Sequence, residues 1–186
     1  MSDHAQAFVA HLLTLEEKDR GALSALRRSL SFDPGAFWQA YRYVERFVGR
    51  DRHADDPFRR ALYLTAGLFA LHPENSAKAS FAAAVGTSAR QRKKQRQSDS
   101  VERRFVALLD AEPESLPNML RQAVSLLAAD GLALDYAHLL DDLSRWLNPF
   151  GQEARDSLRQ QWARDFYLAY EPLSDQPKTI LAEQPE

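Results

Sequence analysis

The sequence predicts an all-α protein of about nine helices, and three observations carry that prediction. Apolar residues recur with a helical period along nearly the whole chain, acid-proline pairs and capping glycines punctuate it, and no segment alternates like a half-buried strand. The helices are expected in two small lobes, residues 1–86 and 100–170, separated by a basic flexible loop over 87–99 and followed by a mobile tail over 171–186.

Taken in order, Phe8, Leu12 and Leu15 recur at i, i+4 and i+7 in the first helix, and Leu23, Leu26 and Leu30 do so in the second. Asp33-Pro34 before "GAFWQAYRYVERFV" and Asp56-Pro57 before "FRRALYLTAGLFAL" have the form of an N-cap acid followed by proline at the first helical position. Leu71-His72-Pro73 closes the fourth helix, and Ala77 to Val85 reads as a short fifth one that Gly86 stops. Asp99 and Glu102 make an acidic capping pair for a sixth helix with the stripe Val101, Phe105 and Leu108. Residues 115–130 repeat the pattern through Met119, Leu120, Ala123, Val124 and Leu127, with Gly131 at the C-cap. Asp135 caps "YAHLLDDLSRWL", Asn148-Pro149 ends it, and Leu158, Trp162, Phe166 and Tyr170 line the ninth helix.

Composition bounds the function. With 186 residues, 45% hydrophobic and 27% charged, the chain matches an ordinary soluble globular protein. Cysteine is absent, which excludes disulfides and thiolate metal sites and fits the cytoplasm. The first residues, "MSDHAQAFVAHLL", lack the basic and apolar regions of a signal peptide, and no apolar stretch is long enough to span a bilayer, so no membrane partner is expected.

Charge is distributed unevenly. Formal net charge is -2, yet residues 86–104 hold 7 basic and 2 acidic side chains, whereas 105–186 hold 6 basic and 14 acidic. Local field rather than net charge decides whether a polyanion is attracted. Arg90, Arg92, Lys93, Lys94 and Arg96 lie within seven positions, and Arg103 and Arg104 continue the charge onto the next helix. There Val101, Phe105 and Leu108 face inward, so Arg103 projects away from the core. Arg28 lies opposite the Leu23, Leu26 and Leu30 stripe; Arg27 borders it and could equally be an ion-paired structural residue; Arg121 takes the polar face of the seventh helix beside Ser125. A solvated loop with surface arginines is the plainer account of the same charges.

Signs of catalysis are lacking. His4 and His11 share a helix face without a third ligand at a suitable spacing; His72 ends a helix and His138 sits on an acidic one. There is no His-Glu-x-x-His, no glycine-rich phosphate loop and no Gly-x-Ser-x-Gly elbow, and the adjacent carboxylates Glu16-Glu17, Asp55-Asp56 and Asp141-Asp142 diverge on their helices. A non-catalytic chain without cofactor or metal is expected. The aromatic groups Phe37-Trp38, Tyr41-Tyr43-Phe47 and Trp162-Phe166-Tyr167-Tyr170 could stack on bases, although helical spacing favours core positions. "LRQAVSLLAADGLALDYAHLLDDLSRWL" has the outline of a helix-turn-helix, but its second helix begins with Asp135 and carries Asp141 and Asp142, which repel phosphates. Cations without a base-reading element suit sequence-independent contact with a nucleic-acid backbone.

Three stretches, "LSALRRSL" (23–30), "SVERRFVALLDAEPESLPNMLRQAVSLL" (100–127) and "LDYAHLLDDLSRWL" followed by "QQWARDFY" (134–167), together resemble the CasB-type small subunit of the type I-E CRISPR surveillance complex, Cascade. The resemblance spans most of residues 8–168. It implies an all-helical, two-lobed, non-catalytic subunit that pairs head-to-tail with a second copy and lies along other Cascade subunits. There it would help hold guide RNA, single-stranded target DNA and the displaced strand of the R-loop. Position by position, the family's basic residues fall on Arg27, Arg28, Arg103, Arg104 and Arg121; the run Arg90, Arg92, Lys93, Lys94 and Arg96 occupies a region of less fixed length. The alternative is a helical adaptor whose basic loop docks on an acidic protein.

Overall fold

Every residue of the segment Ala61–Ala70 is buried, and a helix that is apolar all round belongs inside a bundle. The computed structural model, which describes residues 2–95 and 100–171, places that helix at the centre. Around it the chain forms α1 (Asp3–Lys18), α2 (Arg20–Ser29), a 3-10 turn (Trp38–Ala40), α3 (Tyr41–Val48), the central α4 (Pro57–Leu71), α5 (Phe81–Lys94), α6 (Ser100–Leu109), α7 (Leu116–Asp130), α8 (Tyr136–Trp146) and α9 (Gln152–Tyr170). Among the described residues there is no strand, only an isolated bridge between Asn75 and Leu134.

Helix starts follow the expected chemistry in most places. Asp56 accepts from the Arg59 amide with Pro57 behind it, and Asp135 accepts from the His138 amide at 3.0 Å. Gly131 ends α7 in the left-handed conformation, φ +64°. Asp33-Pro34 does not start a helix: Gly35 follows at φ +91°, Phe37 is extended, and the helix proper begins at Tyr41. Asp99, the first member of the expected capping pair with Glu102, lies outside the described residues, as do Arg96, Gln97, Ser98 and the chain from Pro172 onward.

Two glycines set the closest helix contacts. A Cβ on Gly67 would come within 2.6 Å of the Leu30 side chain, so its absence lets α2 lie against α4. A Cβ on Gly86 would come within 2.3 Å of the Phe166 carbonyl oxygen, where α5 crosses α9. Gly86 is therefore a contact residue inside α5 and not its stop. The helix runs on to Lys94, so 87–94, expected as loop, is helical; Gln, Arg and Lys are good helix formers, and a basic last turn complements the negative end of the helix dipole.

The two halves share a core. One hydrophobic cluster reaches from Ala5 to Tyr170, and α8 packs on both α1 and α4. The loops after α4 and α7 are joined by hydrogen bonds: His72 Nε2 donates to the Leu132 carbonyl at 2.9 Å, the Leu134 amide to Glu74, the Asp135 amide to Ala79, and the buried Tyr136 hydroxyl to the carbonyl of His72 at 2.6 Å. His4 and His11 tie α1 to α3 through the Phe47 and Tyr43 carbonyls, both at 3.0 Å.

Candidate nucleic-acid interface

The cations expected to bind a strand separate into a tethered and an untethered group. Arg92 belongs to the first: its Nε and Nη2 donate to the Asp130 carboxylate at the end of α7, at 3.0 and 2.6 Å, and the Ser88 hydroxyl donates to the same group. Burial works to raise the Asp130 carboxyl, but Arg92 and Ser88 outweigh it and hold that carboxyl below its ordinary value. The hydrogen bond from Arg92 to Asp130 likewise holds the guanidinium charge more firmly. Lys93 lies 4.6 Å from the centroid of the Tyr170 ring and 3.9 Å from Glu171, fastening the end of α5 to that of α9. Arg90 and Lys94 also interact with neighbouring groups.

Arg27 and Arg28, adjacent in sequence, diverge in use. Arg27 donates through Nε and Nη2 to the Ala70 carbonyl, at 3.0 and 2.8 Å, and so caps the C-terminal turn of α4. Arg28 is exposed, its guanidinium carbon 5.8 Å from the centroid of the Phe37 ring.

Arg103, Arg104 and Arg121 form the untethered group. α6 buries Val101, Phe105 and Leu108, and α7 buries Leu116, Leu120, Val124 and Leu127, leaving all three arginines exposed. Among the described residues none of the three has a hydrogen bond or ion pair. Arg104 borders an apolar groove of about 100 Å³ between α6 and α7, floored by Phe105, Leu108, Met119 and Ala123. Glu102, beside Arg103, accepts from the Tyr167 hydroxyl at 3.0 Å, so the nearest acid of α6 is engaged with α9. No group of three His, Asp or Glu residues able to hold a metal converges among the described residues, and no described helix is long and apolar enough to cross a membrane.

Asp142, which argued against a recognition helix at α8, is buried and structural. It accepts from Trp162 Nε1 at 2.7 Å and pairs with Arg145 and His138. Burial pushes its carboxyl above the ordinary range against those three partners. α8 is thus packed on α9 and α4 and presents no free recognition face.

The sequence model of the family described as CRISPR-associated protein Cse2 matches residues 22–167, which include every described arginine named above. The chain belongs to the Cse2 family. A Cse2 protein of Thermus thermophilus is 36% identical over 162 residues, covering 87% of each chain. The crystal structure of CasB from Thermus thermophilus superimposes with a TM-score of 0.72 at 36% identity, over 90% of this chain and 99% of that one. A chain of a CRISPR RNA-guided surveillance complex, 23% identical, shares the fold with a TM-score of 0.72 over 93% of this chain and 96% of that one.

Proposed function

We propose that this Cse2-family chain is the non-catalytic small subunit of an RNA-guided CRISPR surveillance complex, and that it grips nucleic-acid backbone to stabilise the R-loop. Its partners are other Cascade subunits, a second copy of itself in a head-to-tail pair, guide RNA and single-stranded DNA. The observation that carries the reading is the exposed and unpartnered set Arg103, Arg104 and Arg121, on two helices inside the region matched by the family. Membership of a surveillance complex by a chain of the same fold supports it.

The physics suits the role. Base pairing supplies the sequence specificity in RNA-guided recognition, so an accessory subunit needs cations that hold phosphates and no element that reads bases. Exchange of a DNA duplex for an RNA–DNA heteroduplex is nearly balanced in free energy, so modest binding of the displaced strand moves it. Rigid helical arginines free of acidic partners contribute most, because no existing ion pair has to be broken.

The test is binding of the full chain to a single-stranded oligonucleotide at several salt concentrations. Each phosphate contact on a single strand steepens the slope of log K against log salt by about 0.7, so R103A/R104A/R121A flattens it by about 2. An affinity and slope equal to those of the unaltered chain overturn the strand assignment.

A further inference from the structure

The aromatic residues of the sequence part company once folded. Trp146 and Trp162 lie with ring centroids 4.9 Å apart, and Phe166 and Tyr170 join the same core. Trp38 stays outside, 72% exposed. It opens the 3-10 turn between α2 and α3, where the preceding Phe37 turns inward and is buried.

The chain on either side of Trp38 is rich in cations and aromatic rings. Phe37 stacks on the half-exposed Phe32 at 4.8 Å and carries the Arg28 guanidinium on its ring. Arg42, in the first turn of α3 and four residues after Trp38, is exposed, its guanidinium carbon 5.2 Å from the Tyr43 ring centroid. Among the described residues neither Arg28 nor Arg42 has an acidic partner. Glu45, on α3 with Arg42, is occupied: it accepts from the Tyr63 hydroxyl at 2.5 Å and from Arg59 at 3.5 Å. Asp33, in the loop before Phe37, lines a surface groove with Arg59, Arg60 and Glu114.

An indole in water, in a segment whose guanidiniums have no acidic partner among the described residues, has the means by which proteins hold unpaired bases: the ring takes a base face while cations take phosphates of the strand. A duplex hides its base faces, so the ligand is single-stranded. Tryptophan also anchors protein interfaces, but a protein docking here would have to desolvate both guanidiniums and bring its own carboxylates to meet them. A strand supplies the anions with the aromatic. We propose that Trp38 is a stacking platform for a base of an unpaired strand, with Arg28 and Arg42 supplying charge to its backbone, a second contact apart from α6 and α7. The proposal rests on the strand-binding reading above.

Fluorescence tests it directly, because the other two of the three tryptophans are 0% and 1% exposed. The full chain and W38F are titrated with a short unstructured oligonucleotide, reading tryptophan emission and the anisotropy of a label on the strand. The platform requires quenching of the emission that W38F lacks, and a 5- to 100-fold loss of affinity in W38A with the salt slope unchanged. Binding by anisotropy with unmoved Trp38 emission and an unaffected W38A overturns the platform and leaves the strand-binding function standing. Emission that shifts with concentration of the protein itself and not with the strand overturns it in favour of a protein interface. Absence of any strand binding overturns both readings. R28A/R42A separates stacking from charge: it should flatten the salt slope by about 1.4 while quenching at saturation persists.

Discussion

The C-terminal half of α5 and the outer faces of α6 and α7 carry the same residue type and use it in opposite ways. On α5 the cations are engaged: Arg92 with Asp130, Lys93 with Tyr170 and Glu171. On α6 and α7, Arg103, Arg104 and Arg121 face water. The cause is geometric. α5 is pressed along its length against α9 and bordered by α6 and α7, so its side chains reach carboxylates at the ends of neighbouring helices. α6 and α7 bury a single stripe each and leave the rest to solvent. Density of charge along a sequence therefore says little about availability, which depends on how many neighbours cover the helix.

The sharpest way to break this comparison is to push α5 off α9. G86V sets a branched side chain against the Phe166 backbone carbonyl, and stability should fall by about 3 kcal/mol in denaturant unfolding. Loss of less than about 1 kcal/mol would mean that α5 does not need that close contact. Next comes R92A, which leaves Asp130 with Ser88 as its partner among the described residues and should cost about 2 kcal/mol. Strand binding should change less in R92A than in R103A if the tethered cation is structural. The neighbours Arg27 and Arg28 repeat the contrast in miniature: R27A uncaps the Ala70 carbonyl and should cost about 1 kcal/mol, while R28A leaves stability within about 0.5 kcal/mol. The same small stability effect is expected at each of Arg103, Arg104 and Arg121, so a lowered strand affinity there reports contact and not unfolding.

Helix identity was legible in the sequence because period and caps are local. Asp56, Gly131 and Asp135 act as their residue types require, and the stripes of α1, α6, α7 and α9 point inward. What misled was glycine and proline, whose local meaning depends on distant atoms. Gly86 reads as a helix stop until Phe166 is seen against it, and Asp33-Pro34 reads as a helix start until Gly35 is found at positive φ. The site was half legible for the same reason. Helical geometry alone pointed Arg103 outward, whereas the border position of Arg27 left a strand contact and an ion-paired structural role both open, and its partner is a backbone carbonyl, not an acid. Nothing local, however, announces that Asp130 lies beside Arg92, 38 positions away, or that Trp38 is exposed while the neighbouring Phe37 is buried.

Acid sharpens the comparison with the smallest effect. Because the folded protein holds the Asp130 carboxyl below its ordinary value of 3.8, folding favours its ionised form. The stabilisation is fully present above the unfolded value and is lost as pH falls through the folded one, so it declines below about pH 5. R92A removes the main source of that lowering and should flatten the acid limb of stability measured between pH 5 and pH 3, relative to the unaltered chain. R103A has no carboxylate to release and should leave the limb parallel to that of the unaltered chain. An acid limb that R92A does not change would mean that the pair adds nothing to folding, and the division between tethered and untethered cations would then rest on geometry without energetic weight.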